Sequence, residues 1–182
     1  LMQPNQRLAI LTARLFETLD SVLEETRPDW ILAQGDTTTV FVSAVMAYYH
    51  DIRFGHVEAG LRTLDKRRPF PEEMNRRLAD AATDAWFAPT ERARQALLAE
   101  GFPEAGIHVT GNTIVDALLE ISQRSFDWRK SALDVIPQEG HMVLITAHRR
   151  ESFGEPFREL CQAIRELAGL FHDTHFVYPV HL

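Results

Sequence analysis

The sequence has a single cysteine, no excess of positive charge and no long apolar run, and each of these absences excludes a class of protein. Cys161 alone cannot form an internal disulfide, and its place on the apolar side of a helical pattern predicts a buried, unreactive thiol. The 182 residues carry a net charge of −7 with dispersed basic residues, which argues against a nucleic-acid partner. No apolar run approaches the roughly 20 residues of a membrane helix, and no signal peptide is visible. We therefore expect a cytoplasmic, globular protein with no membrane partner.

The sequence also lacks the short motifs of several cofactor sites. No two histidines and a carboxylate stand at a metal-binding spacing such as HExxH, so we predict no metal site. There is no GxGxxG motif for a nicotinamide dinucleotide and no Walker loop for a nucleoside triphosphate. We therefore predict chemistry that needs no cofactor.

Predicted strands and helices alternate along the chain, which indicates an α/β fold of Rossmann-like parallel sheets with flanking helices. Strands are predicted at 30–36, 53–60, 85–90, 107–112, 142–148 and 175–179, and helices at 38–50, 71–82, 91–100, 113–121 and 155–168, after a first amphipathic helix. We predict three regions: an N-terminal domain over 1–111 that lacks its start, a linker helix and connection over 112–140, and the truncated start of a second domain over 141–182.

Polar side chains follow the carboxyl ends of four predicted strands, which is where ligands bind in this architecture. They include Asp36, His56, Glu58, Arg62, Asn112, His148 and Arg149, and Gly111 precedes Asn112. Some also have an ordinary structural interpretation, because Asp36 could form a turn and helix cap with Thr38. Glu58 could likewise pair with Arg62 or His56.

The stretch PFPEEMNRR, residues 69–77, can be interpreted in two ways. Taken alone, its two glutamates suit the positive end of a helix dipole, and Glu72–Arg76 and Glu73–Arg77 have the spacing of exposed helical ion pairs. Alternatively, the long loop before it delivers Glu72 and Arg76 to the crevice at the strand ends.

Together these residues would form one crevice with an acidic and a cationic part. The carboxylates are Asp36, Glu58 and Glu72, and the cations are Arg62, Arg76, His148 and Arg149. Carboxylates can transfer protons on a sugar, and cations can hold a departing diphosphate. The combination therefore suits a sugar diphosphate.

Six stretches also occur in the order found in one known family. They are QGDTTT (34–39), HVEAGLRT (56–63), PFPEEMNRR (69–77), VTGNTIVDAL (109–118), TAHRRESFG (146–154) and VYPVHL (177–182). Over essentially the whole chain they resemble the non-hydrolysing UDP-N-acetylglucosamine 2-epimerases. The resemblance implies a two-domain GT-B fold, a homodimer, and interconversion of UDP-N-acetylglucosamine and UDP-N-acetylmannosamine for cell-surface polysaccharides.

The resemblance also implies roles for individual residues. Asp36, Glu58 and Glu72 match the catalytic acids and His148 the catalytic histidine, whereas Glu73 is left with a structural role. Arg76 and Arg149 match further motif positions and, with Arg62, are expected to bind substrate. In some relatives a regulatory site binds a second substrate molecule, and Gln6, Arg149 and His181 match its positions. Asn5 departs from the basic residue that some members have there.

Several alternatives remain open. An epimerase of a modified UDP-sugar would keep the same acids, and a glycosyltransferase of the same fold or a nucleotide-sugar-binding module without turnover are further alternatives. A hydrolysing 2-epimerase is disfavoured because its motifs lack the GDTTT and EAGLRT stretches. The family's Gly-Thr-Arg-Pro stretch has no counterpart here, and the resemblance places uridine beyond Leu182. We therefore expect these 182 residues alone to be inactive.

Overall fold

The structure, a computed structural model, describes residues 6–131, 133–137, 139–147 and 154–180. The chain divides into two compact units, Leu1–Ile121 and Ser122–Leu182. This boundary lies inside the region that we predicted as linker, and the limits of the three predicted regions stay a prediction. Across the described ranges, no helix combines the length and the apolar character needed to cross a bilayer.

The first unit is a parallel sheet with flanking helices. Its elements are α1 (Leu8–Thr26), β1 (Trp30–Gln34), α2 (Thr38–Tyr49), β2 (Arg53–Val57), α3 (Glu72–Ala81), β3 (Ala85–Ala88), α4 (Glu91–Ala99), β4 (Ile107–Val109) and α5 (Thr113–Ser122), with a 3-10 turn at Glu104–Gly106. The four strands are hydrogen-bonded in the order β1-β2-β3-β4, and every neighbouring pair is parallel. The carboxyl ends of these strands therefore lie at one edge of the sheet.

The second unit contains a smaller parallel pair. Its described elements are a 3-10 turn (Trp128–Lys130), β5 (His141–Leu144), α6 (Glu155–Leu170) and β6 (Thr174–Val177). β5 and β6 pair in parallel, with His141 opposite Thr174. The predicted class of parallel sheets with flanking helices is thereby confirmed, although the strands end earlier than predicted. After β1 and β2 the chain enters a bend and a turn at the predicted strand ends.

Small side chains let the helices of the first unit approach closely. Ala44 and Ala47 of α2 and Ala79 of α3 are fully buried, and they pack with Val40 and Phe54 in one cluster. This close packing holds α3 beside the sheet. A second cluster joins α4 to β3 and β4, and a third joins α1 to α2.

Threonine side chains begin two of the helices. The Thr37 hydroxyl accepts a hydrogen bond from the Val40 N–H at the start of α2, and the Thr90 hydroxyl accepts from the Ala93 N–H at the start of α4. Each cap satisfies a backbone donor that the helix itself cannot pair. The predicted cap at Thr90 is confirmed.

The prediction of a buried thiol is wrong, because Cys161 is exposed on α6. Leu160 and Leu167 of the same helix are also exposed, at 38% and 42%. In the described part of the second unit, α6 has only a two-stranded sheet to pack against. Such a sheet is too small to cover every apolar side chain of a helix of this length.

Gly60, after β2, permits a close approach between the loop that follows and α4. Its φ is +81°, and a Cβ there would lie 2.4 Å from the Ala93 carbonyl oxygen. We expect Gly60→Ala to lower the free energy of unfolding by more than about 1 kcal/mol, measured by urea denaturation. Gly101→Ala is the matched control, since Gly101 has a φ of +89° but no atom within 4 Å of the added Cβ. Equal losses in both variants would contradict the close contact.

Candidate active site

Asp36 and Glu58 come together at the ends of β1 and β2. The Gly35 N–H donates to the Val57 carbonyl at 3.0 Å, so the turn that carries Asp36 is fastened to β2. A Cβ on Gly35 would lie 3.6 Å from Oε2 of Glu58, which places the Glu58 carboxylate against this turn. Glu58 itself has a φ of +69°, a left-handed conformation that is costly for a residue other than glycine and is typical of functional sites.

The helix α3 adds a cation to these acids. Nη2 of Arg76 forms an ion pair with Oδ2 of Asp36. The Asn75 side-chain amide also donates to the Asp36 carbonyl oxygen at 3.0 Å. Glu72 is the first residue of α3 and precedes Arg76 by about one turn, so both lie on one side of the helix. This geometry brings the start of α3 to the two strand ends.

Glu73 differs from the exposed helical residue that we predicted, because it is fully buried. Its carboxylate accepts hydrogen bonds from Nη1 of Arg76 at 3.2 Å, Nε of Arg77 at 3.2 Å and the Thr63 N–H at 3.1 Å. The predicted Glu73–Arg77 pair is therefore present, but it is not an exposed pair. The predicted Glu72–Arg76 pair is wrong in the described structure, since Arg76 turns to Asp36 and Glu73 instead. Glu73 is buried because the loop before α3 folds back over it, and the Thr63 N–H of that loop donates to its carboxylate.

The guanidinium of Arg62 is occupied by two acids. It binds Glu100 through two hydrogen bonds of 2.7 Å and Asp80 through one of 2.7 Å. Burial lowers the pKa of Arg62, but the hydrogen bonds and charges of Glu100 and Asp80 outweigh burial, so its pKa is raised above the ordinary value. In the described structure Arg62 therefore does not pair with Glu58. Its expected role in substrate binding stays a prediction.

A histidine and an aspartate are buried beneath the Gly35 turn. Nδ1 of His56 lies 2.6 Å from Oδ1 of Asp80, and Nε2 of His56 lies 2.7 Å from the Gly35 carbonyl oxygen. Both side chains are fully buried. His56, like Arg62, is therefore unavailable to pair with Glu58.

A cleft of about 440 Å³ opens beside this group of residues. It is lined by three arginines and by small or apolar groups: Arg62, Arg76, Arg92, Gly60, Leu61 and Leu64 are among them. Arg76 is shared between the cleft and the Asp36 carboxylate. The first unit thus offers acids for proton transfer beside a cleft lined by arginines, of which Arg62 and Arg76 are paired with acids.

The comparisons with known proteins agree with this arrangement. A family model described as UDP-N-acetylglucosamine 2-epimerase matches residues 1–182. The chain belongs to the UDP-N-acetylglucosamine 2-epimerase family. The family resemblance seen in the sequence is confirmed.

Two relatives of this chain are named UDP-N-acetylglucosamine 2-epimerase, like the family. This chain is 44% identical over 182 residues to a UDP-N-acetylglucosamine 2-epimerase of Bacillus subtilis, a match that covers 100% of the chain and 47% of the relative. It is 45% identical over 188 residues to one of Escherichia coli K12, covering 100% of the chain and 50% of the relative. The chain spans about half the length of these curated relatives.

A solved structure supports the fold of this family member. The UDP-GlcNAc 2-epimerase of Neisseria meningitidis, bound to UDP-GlcNAc, superposes with a TM-score of 0.92 at 41% identity. The match covers 100% of this chain and 50% of the Neisseria chain. The predicted GT-B class is confirmed.

In this epimerase-family chain the structure brings together part of the predicted site. Asp36, Glu58 and Arg76 converge, and Glu72 lies at the near end of α3. His148, Arg149 and His181 lie outside the described residues. Gln6 immediately precedes Arg7, the N-cap residue of α1, and its regulatory role stays a prediction.

Sequence reasoning missed two residues of this epimerase-family site. The sequence patterns do not single out Asp80, and they place His56 at a strand end without predicting its bond to Asp80. A signal was present, because Asp80 lies among alanines inside a helix that packs against the sheet. An acid in such a buried setting needs a partner.

Proposed function

We propose that the full-length protein inverts C2 of UDP-N-acetylglucosamine to give UDP-N-acetylmannosamine, and the reverse, by elimination and re-addition of UDP. The observation that carries this proposal is the convergence of Asp36 and Glu58 beside Arg76 in a member of this family. The Neisseria relative bound to UDP-GlcNAc supports a UDP-sugar as the ligand.

Elimination solves a chemical difficulty at C2. The hydrogen on C2 is not adjacent to a carbonyl, so its direct removal would leave an unstabilised carbanion. In the elimination a base takes the C2 proton, a C1–C2 double bond forms, and the C1–oxygen bond breaks as its electron pair leaves with UDP. An acid then returns a proton to the opposite face of C2, and UDP bonds to C1 again. No net oxidation occurs.

The described carboxylates suit these proton transfers. Asp36, Glu58 and Glu72 provide the base and the acid, and Arg76 holds Asp36 in place through their ion pair. We assign His148 and Arg149 to the departing diphosphate, in line with the family resemblance. We also propose, on that resemblance, a homodimer that acts in the cytoplasm and supplies cell-surface polysaccharides.

Incubation with UDP-N-acetylglucosamine in D₂O, followed by NMR, tests the proposed reaction. We expect deuterium at C2 of the UDP-N-acetylmannosamine product of the full-length protein, because the proton removed from C2 exchanges with solvent before a proton returns. The 182-residue chain assayed alone should give no product, since the family resemblance places the uridine site outside it and proton transfer depends on positioning of the sugar.

Other outcomes of that experiment would replace the proposal. Release of free N-acetylmannosamine would indicate a hydrolysing enzyme. UDP-sugar binding without exchange at C2 would indicate a binding module. Epimerisation with full retention of the original hydrogen would rule out the elimination mechanism.

A further inference from the structure

The buried His56 has hydrogen-bond acceptors on both of its ring nitrogens. Nε2 faces the Gly35 carbonyl at 2.7 Å, and a carbonyl oxygen can only accept, so Nε2 carries a proton. Nδ1 faces Oδ1 of Asp80 at 2.6 Å. Oδ2 of Asp80 accepts from Arg62 at 2.7 Å and from the Gly60 N–H at 3.4 Å, so Asp80 is the carboxylate partner of the Arg62 guanidinium. Nδ1 therefore also donates, and two donating nitrogens make the ring an imidazolium.

The charges around this ring are compatible with the same protonation state. Glu100, Arg62, Asp80 and His56 form a chain of alternating acids and bases. The His56 and Asp80 side chains are fully buried, and Arg62 is 4% exposed. Glu100, at the outer end of this chain, is 34% exposed, so its charge is partly solvated. A doubly protonated ring makes the group neutral.

The ring fixes the residue that precedes Asp36. The Gly35 carbonyl accepts from His56 and the Gly35 N–H donates to Val57, so β2 holds both backbone groups of Gly35. Gly35 has a φ of +88°, and glycine is the residue with the most conformational freedom to lose. These two bonds therefore fix the Gly35 turn to β2, and the Asn75 amide holds the backbone of Asp36, which follows the turn.

We propose that a charged His56, anchored by Asp80, is a positioning residue for the proton transfers at C2. Its ring clamps the Gly35 carbonyl and thereby holds Asp36 in place beside Glu58. His56 contacts no reacting atom and acts only through the turn. This inference rests on the proposed epimerisation.

Two variants of His56 separate its two hydrogen bonds. The amide nitrogen of His56→Asn lies near the position of Nδ1, so it keeps the bond to Asp80 and loses the clamp on Gly35. The amide nitrogen of His56→Gln lies near the position of Nε2, so it keeps the clamp and loses Asp80. We expect His56→Asn to lower kcat by about 10²-fold, the cost of a misplacement of about 1 Å.

The pattern of kinetic constants distinguishes positioning from a general role in folding. In the full-length protein, KM for UDP-N-acetylglucosamine should stay unchanged in His56→Asn. His56→Gln should retain most of kcat while unfolding at a lower urea concentration. Rates are measured per folded protein, below the unfolding transition of both variants. If neither variant folds, Asp80→Asn provides the test, because the ring keeps its Nε2 hydrogen bond to the Gly35 carbonyl and loses only the Asp80 carboxylate. Like His56→Gln, it should retain most of kcat while unfolding at a lower urea concentration.

A spectroscopic measurement tests the charge directly. NMR of isotopically labelled ring nitrogens in the wild-type protein should show a proton on both nitrogens of His56 at neutral pH. A ring with one bare nitrogen would overturn the assignment.

The kinetic outcomes separate this inference from the proposed function. If the wild-type protein does not epimerise UDP-N-acetylglucosamine, the proposed function fails and the inference fails with it. If the wild type turns over and the two His56 variants keep its kcat, or lose it equally, the positioning role alone is overturned. A loss of kcat of about 10²-fold in Asp80→Asn would have the same meaning, because the Gly35 hydrogen bond is kept in that variant.

Discussion

Glu58→Gln in the full-length protein is expected to lower kcat by about 10²–10⁴-fold, which is the usual cost of losing a proton-transfer group. The Glu58 carboxylate lies against the Gly35 turn, beside Asp36, at the end of β2. Glutamine keeps the size and hydrogen-bonding reach of the side chain but cannot take or give the C2 proton. The measurement is the rate of UDP-N-acetylmannosamine formation by NMR, together with urea unfolding of each protein.

Glu25→Gln is the matched control for this prediction. Glu25 is an exposed residue near the end of α1, so the same chemical change there should alter neither rate nor stability appreciably. The free energy of unfolding of Glu58→Gln should also stay near the wild-type value. A kcat for Glu58→Gln equal to that of Glu25→Gln would contradict the catalytic assignment.

Glu73→Gln is expected to have its large effect on stability, with a loss of roughly 3–5 kcal/mol in the free energy of unfolding. The Glu73 carboxylate is fully buried and accepts from Arg76, Arg77 and the Thr63 N–H. Without the negative charge of Glu73, the buried guanidinium of Arg76 loses one of its two acidic partners. Losing a partner of a buried charge costs more stability than losing an exposed ion pair. Urea denaturation of the wild type and the variant measures the difference.

The neighbouring variant Glu72→Gln is the control: it should lose kcat with little loss of stability, whereas the main effect of Glu73→Gln is a loss of stability. Glu72 is half-buried at the first position of α3, so its replacement should change stability by only about 0.5 kcal/mol. Its kcat should nevertheless fall by about 10²–10⁴-fold, because it is one of the proposed proton-transfer groups. If both variants lost stability to the same extent, the distinction between the two glutamates would be wrong.

Much of the fold followed from local patterns. The cap at Thr90 and the helix after it were predicted correctly, because a threonine hydroxyl satisfies a nearby backbone donor whatever the rest of the chain does. Cys161 was predicted wrongly, because helical periodicity shows which side of α6 is apolar but does not show how much of that side is covered. A side chain is buried only where another element packs against it, and that element comes from a distant part of the sequence.

At the candidate site, the strand pattern likewise predicted where the acids lie but not which residues they pair with. Asp36 and Glu58 were predicted to meet because parallel strands place their carboxyl ends at one edge of the sheet. The pairing of Glu58 with Arg62 or His56 was a reasonable expectation from their spacing, but both of those residues bind Asp80 instead. Helical spacing also suggested Glu72 as the partner of Arg76, whereas the structure supplies Asp36 and Glu73.

The sequence by itself determined the order of strands and helices, the acids at the strand ends and the family to which the chain belongs. These properties depend on periodicity, on caps and on residue identity along the chain. Only the tertiary structure decided which acid pairs with which base, that Glu73 is buried, and that His56 reaches the Gly35 carbonyl. The physical reason is that ion pairing and burial depend on distances of a few ångströms between residues far apart in sequence, and packing of α3 against the sheet sets those distances.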